Sequence, residues 1–248
     1  MENAVFIKNN YANMAKLELH YTRDCPNVSA QWKNQKNYSY IHLLQENTMN
    51  PLLTIKGTLA VGLILALAVA FGISSGLAGF LSSLTVWLHV LAGVAWIGLL
   101  YYFNFVQVPG VGKALADTDG PGPAAINKYI APSALLWFRM SAAVTWLTGV
   151  SALAQAGGGM QGILDAFMLT NGMGVIGLGA WLGTIMLFNV WVLIWPNQKK
   201  ILGLDGKQHD ADAIASAKKI ALMASRTNTA LSIPMLLCMV GYMHGMAF

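Results

Sequence analysis

Five stretches of this chain, roughly residues 55–74, 83–107, 133–155, 172–195 and 227–247, are long apolar runs with almost no charge. Each is long enough to cross a hydrocarbon core, which takes about 20 helical residues. In that medium every backbone N–H and C=O must be satisfied within the segment, so runs of this kind can only be helices. The fold class that follows is all-α: an integral membrane bundle of five transmembrane helices. Charged residues are 10% of the 248-residue chain, against about 25% in soluble domains, so a soluble globular fold is excluded. The formal charge of +5 does not indicate nucleic acid, because basic residues in a membrane protein report orientation.

That orientation is consistent along the chain. Lys56 precedes the first run, Lys113 and Lys128 lie between the second and third, and Lys199, Lys200, Lys207, Lys218, Lys219 and Arg226 lie between the fourth and fifth. The alternate loops, 74–82 and 156–171, carry no basic residue. The positive-inside rule puts the N-terminus in the cytoplasm and the C-terminus outside. The expected location is the bacterial inner membrane, crossed several times, with the lipid bilayer as the first partner. A Gly/Pro-rich loop is expected over 108–132, and Trp195–Pro196 is expected to close the fourth span. The run HDADAIASAKKIALMASR is expected to form an amphipathic helix leading into the last span, where Pro234 introduces a kink.

Residues 1–48 read differently: polar, Asn-rich and without the apolar core of a signal peptide. They are expected to be a disordered tail or the product of an upstream start, with the membrane domain occupying 49–248. Cys25 lies in this tail and Cys238 in the last apolar run, so no disulfide between them is expected. No Walker, H-E-x-x-H, G-x-S-x-G, EF-hand or C-x-x-C-H motif is present.

Two ionisable residues stand out within the apolar runs. An imidazole at membrane depth is costly and by default marks a site that faces the bundle interior. His89 lies about six residues into the second run, and His244 lies near the end of the fifth. Opposite helix directions put both toward the outer leaflet, within roughly one turn of each other in depth. Two such residues are candidate metal ligands, here for a haem iron. Gly93, at i+4 from His89, would let a planar macrocycle approach the backbone, and it equally fits plain helix packing. Met239, Met243 and Met246 are alternative thioether ligands, although Met on an apolar helix usually packs. A second polar layer comprises Asn104, Gln107, Arg139, Asn189, Asn197 and Gln198. Arg139, Asn104 and Asn189 are candidate contacts for an anionic or heteroaromatic ligand, or for a haem propionate. Gly179 and Gly183 form a G-x-x-x-G packing face.

Four segments carry a resemblance: WLHVLAGVAWIGLLYYFNF, LLWFRMSAAVTWLTG, TIMLFNVWVLIWPNQKKIL and SRTNTALSIPMLLCMVGYMHG. In order, and most distinctively in Trp195–Lys200, they resemble the membrane N-terminal domain of the bacterial cytochrome c-linked urate oxidases (PuuD-type urate hydroxylases). The resemblance implies a short form that ends before the family's cytochrome c domain. It implies a membrane oxidoreductase, active in purine catabolism, with haem b held by His89 and His244. Electrons would pass to an external c-type cytochrome. The alternative is a non-enzymatic membrane subunit or assembly factor of a larger complex or homo-oligomer.

Overall fold

The computed structural model describes residues 50–74 and 76–246. The tail expected over residues 1–48 lies outside them. The described residues fall into two compact units, which divide after Gly72.

In the first unit, Asn50 Oδ1 accepts from the Leu52 amide at 2.9 Å and opens a short 3-10 turn, Pro51–Leu53. Thr54 Oγ1 then accepts from the Gly57 amide at 3.0 Å and starts helix α1, Ile55–Ile73. No residue of α1 is buried.

The second unit is built from α2 (Gly76–Ala116), α3 (Ile126–Ala156), α4 (Met160–Met168), α5 (Gly174–Ile201) and α6 (Ala211–Met243). Among the described residues there is no strand. Helices α1, α2, α3 and α5 are each long and apolar enough to cross a membrane. The protein is therefore a multi-pass helical membrane protein. Helix α6 is a single 33-residue helix that fuses the expected amphipathic helix and the expected fifth span. It carries Lys218, Lys219 and Arg226 in its first half, so its apolar part is shorter than that of the other four.

Three prolines explain why the helices outrun the expected loop and helix end. Proline lacks an N–H and crowds the carbonyl four residues back. For Pro109, Pro132 and Pro196 that carbonyl belongs to Phe105, Lys128 and Val192. All three lie inside π-helical turns, Phe103–Gln107, Ile126–Ile130 and Asn189–Ile194. The wider i→i+5 turn removes the bond that proline cannot make, so each helix continues. The loop after α2 consequently shrinks to 117–125, and α5 runs past Trp195–Pro196 to Ile201. Pro234 lies inside α6 without a π turn.

The main core joins Trp96, Leu100 and Phe103 of α2 to Phe138 and Ala142 of α3, Met186 and Val190 of α5, and Met235 of α6. Phe103 and Phe138 meet edge to face at 5.4 Å. A second cluster, Leu153, Ala166 and Met173, seats α4 against α3 and α5. Helix α4 occupies what the sequence presents as a loop without basic residues, with Asp165 its one charge. Its docking depends on Gly177, where a Cβ would overlap the Ala166 carbonyl. Of the G-x-x-x-G pair, Gly179 does pack, 3.1 Å from Cys238 Cβ for an added Cβ, whereas one at Gly183 would meet nothing within 4 Å.

Between α5 and α6, His209 Nε2 lies 2.7 Å from Asp205 Oδ2, which holds the Asp205 carboxyl below its ordinary range. This contact is fully present above the usual carboxylate pKa and is lost as pH falls through the lowered value. Asp210 Oδ1 caps α6 by accepting from the Ala213 amide at 2.6 Å. Gly177→Ala is expected to lower stability by about 1–3 kcal/mol through overpacking. Gly183→Ala should be near neutral, and thermal unfolding in one detergent compares the two.

Candidate functional site

His89 is half-buried in the seam between α2 and α3, where its Nδ1 lies 2.8 Å from the Thr145 carbonyl. A carbonyl only accepts, so Nδ1 carries a proton, and in the neutral ring the lone pair is then on Nε2. The ring rests on Gly149, at which a Cβ would stand 2.9 Å from Cε1 and 3.1 Å from Nδ1. Any other residue there would push the imidazole out of the seam. Gly93 faces Thr145 across the same seam, with 3.7 Å to Thr145 Cγ2 for an added Cβ. The glycine that makes room for the ring is therefore Gly149, which the sequence reading missed. Its signal was present in WLTG, one helical turn after Thr145.

His244, exposed at the end of α6, has the same polarity for the same reason. Its Nδ1 lies 2.8 Å from the Val240 carbonyl of its own helix, so in the neutral ring the lone pair is again on Nε2.

The levels of the two histidines follow from how α2 and α6 pair. Tyr101 Oη lies 2.9 Å from Ser232 Oγ, and Asn104 Nδ2 donates to Ser225 Oγ at 2.8 Å. Rising numbers on α2 meet falling numbers on α6, so the helices are antiparallel. His89 lies 12 residues before Tyr101 and His244 lies 12 after Ser232, about 18 Å along each helix. The bundle thus sets them at one level. Their partners are separate: His89 belongs to the α2–α3 seam, and His244 is tied to the helix that packs on α5.

The inner polar layer is organised by α6. Its residues Ser225, Asn228 and Ser232 meet Asn104, Asn189 and Tyr101 respectively. Asn228 is fully buried. Its Nδ2 donates to the Met186 carbonyl at 2.9 Å, and its Oδ1 accepts from Asn189 Nδ2 at 2.8 Å. Arg139 does not join this layer, because its guanidinium stacks 3.7 Å above the Trp195 ring. Asn197 Nδ2 turns back to the Leu193 carbonyl at 2.7 Å. Trp96 Nε1, Asn104 Oδ1 and Gln107 Oε1 are buried polar atoms with no hydrogen-bond partner among the described residues. All three lie on α2, and Trp96 shares the helical face of His89 and Gly93.

Fold and side chains together define a multi-pass helical membrane protein with an oriented imidazole in one helix seam and a buried amide pair nearer the basic end. Residues 163–248 match the family model described as urate oxidase N-terminal. The matched region runs from within α4 through α5 and α6 and contains His244. The C-terminal part of the chain is thus similar to the urate oxidase N-terminal family over this matched region. No curated protein and no solved structure matches the chain.

Asn228→Leu should cost about 1–3 kcal/mol, because it strands the Asn189 amide and the Met186 carbonyl in the core. Asn104→Leu, whose oxygen is already unpaired, should cost less. Chemical denaturation of the two variants gives the comparison.

Proposed function

We propose that the chain is a membrane redox protein, related to urate oxidase through its C-terminal part, in which His89 and His244 would hold a b-type haem. The observation that carries this reading is the His89 seam. Its carbonyl-locked Nδ1–H leaves Nε2 basic, as a metal-ligating imidazole requires, and Gly149 supplies the space a side chain would fill. The shared level of His244, with the same tautomer, supports the pair. Haem, when bound, supplies one-electron transfer. The chain's own contribution is orientation: the Thr145 carbonyl fixes the ring plane. The buried Trp96 indole N–H is an unspent donor for a polar edge of the cofactor. Arg139 and Asn104, on the basic side, lie away from the histidine level and would be polar contacts for the small-molecule substrate rather than for haem.

The basic residues at the opposite end, Lys113, Lys128, Lys199 and Lys200, support an orientation with the histidines toward the outer face of a bacterial inner membrane, where a c-type cytochrome could accept electrons. The family match supports urate, or another purine, as the small molecule oxidised. A second reading, a non-enzymatic subunit of a larger membrane complex or homo-oligomer, draws on α1, none of whose residues is buried.

The purified protein should show a dithionite-reduced b-type absorption band. His89→Ala should abolish it, and Gly149→Val should reduce haem affinity by roughly 10–100-fold, as expected for a disturbed supporting contact. A folded, colourless wild-type protein after haem reconstitution would refute the proposal. Normal complex assembly by a His89→Ala/His244→Ala double variant would then favour the subunit reading.

A further inference from the structure

A cavity of about 470 Å³ opens between α5 and α6 near the basic end, lined by Asn189, Leu193, Lys219, Ile220, Met223 and Thr227 among others. Its walls are mostly apolar, and its polar groups are arranged by the helices. Asn189 comes from the start of the π-helical turn Asn189–Ile194, a kind of turn that often accompanies function. Asn189 is 8% exposed, and its polarity is dictated from behind. The Met186 carbonyl can only accept, so it takes the Asn228 NH₂. Asn228 must then offer Oδ1 to the Asn189 NH₂. That leaves Asn189 Oδ1 as the atom Asn189 presents to an occupant, and it is an acceptor whose sense cannot flip without breaking two buried bonds.

Thr227 adds a hydroxyl to the same wall. Unlike Thr229, which donates to the Ser225 carbonyl at 3.1 Å, it spends no bond on its own helix. Lys219 stands eight residues earlier on α6, about 12 Å away along the axis, and its flexible stem can span part of that distance. The cavity therefore offers a cation at one end, an apolar middle and a hydrogen-bonding end with a fixed acceptor.

From this we infer that the α5–α6 cavity binds a small organic anion that carries N–H or O–H donors. The negative group pairs with Lys219, the flat or short apolar body lies against Leu193, Ile220 and Met223, and the donor meets Asn189 Oδ1. A lipid chain fits poorly, because with its headgroup on Lys219 its methyl end would be driven onto Asn189 and Thr227, and burying those groups unpaired is costly. The site does not depend on the haem reading, since none of its lining groups belongs to the histidine seam.

The test is calorimetric titration of the full chain in nanodiscs with urate and with orotate, two donor-bearing anions, and with octanoate as an anion lacking ring donors. Saturable binding of urate or orotate is expected, weakened about tenfold by Lys219→Gln and severalfold by Thr227→Val, both exposed positions where folding should be unaffected. Octanoate should not displace the bound anion. Three results would overturn the inference: no binding of either donor-bearing anion, binding indifferent to both substitutions, or displacement by octanoate. The readout is independent of any visible spectrum, so loss of this site and loss of the haem proposal are distinguishable.

Discussion

The interaction on which the polar parts of this bundle depend is the bond from a side-chain donor to a helix carbonyl. A helix carbonyl already accepts along the axis, keeps a second lone pair, and can never donate. In a low-dielectric interior an unpaired donor is expensive, so any imidazole or amide within reach turns its N–H to such a carbonyl and presents its acceptor elsewhere. Thr145, Val240 and Met186 do this for His89, His244 and the Asn228–Asn189 pair. A backbone that cannot change sign thereby determines which atom each functional group offers.

Helix continuity rests on a different local solution. Pro109, Pro132 and Pro196 all stand just beyond a π-helical turn, with the crowded carbonyl inside it. The cost of the proline is absorbed by a wider turn rather than by a break, and the wider turn also re-aims side chains. Asn104 and Gln107 come from the first of these turns and Asn189 from the third. The positions that lengthen the helices are thus also those that set the inner polar layer.

Much of this was legible in the sequence because the hydrocarbon core imposes a length and a periodicity that leave little choice. The apolar runs that became α1, α2, α3 and α5 follow from that constraint alone, and so does the isolation of His89 and His244. Helix α4 was not legible, since nine residues with one charge look like a loop until Gly177 lets them dock. The helix ends were misread because proline normally stops a helix, and the compensating π turn has no signature in composition. Gly93 stands out in the sequence and Gly149 does not, because i+4 spacing on one helix is visible, whereas contact across a seam depends on which faces of α2 and α3 meet. For the same reason the sequence groups Arg139 with Asn104 and Asn189 as contacts of one ligand, whereas its guanidinium lies over the Trp195 ring.

The two oriented sites differ in level by an amount that limits how they can be connected. Asn228, which polarises the cavity, lies 16 residues before His244 on α6, about 24 Å along the helix. An anion held at Asn189 cannot touch a group held at the level of the histidines. Any influence of one on the other would be a coupling between two separate sites, carried by the helices that reach both levels, α6 and the α2 bonded to it through Tyr101 and Asn104. Helix α6 is suited to that role: it bears the cavity wall, the Asn228 bond, the Ser232–Tyr101 contact and His244 in sequence. Pro234, which leaves the Ala230 carbonyl without its helical partner, sits between the two ends and is the point at which the helix can bend most cheaply.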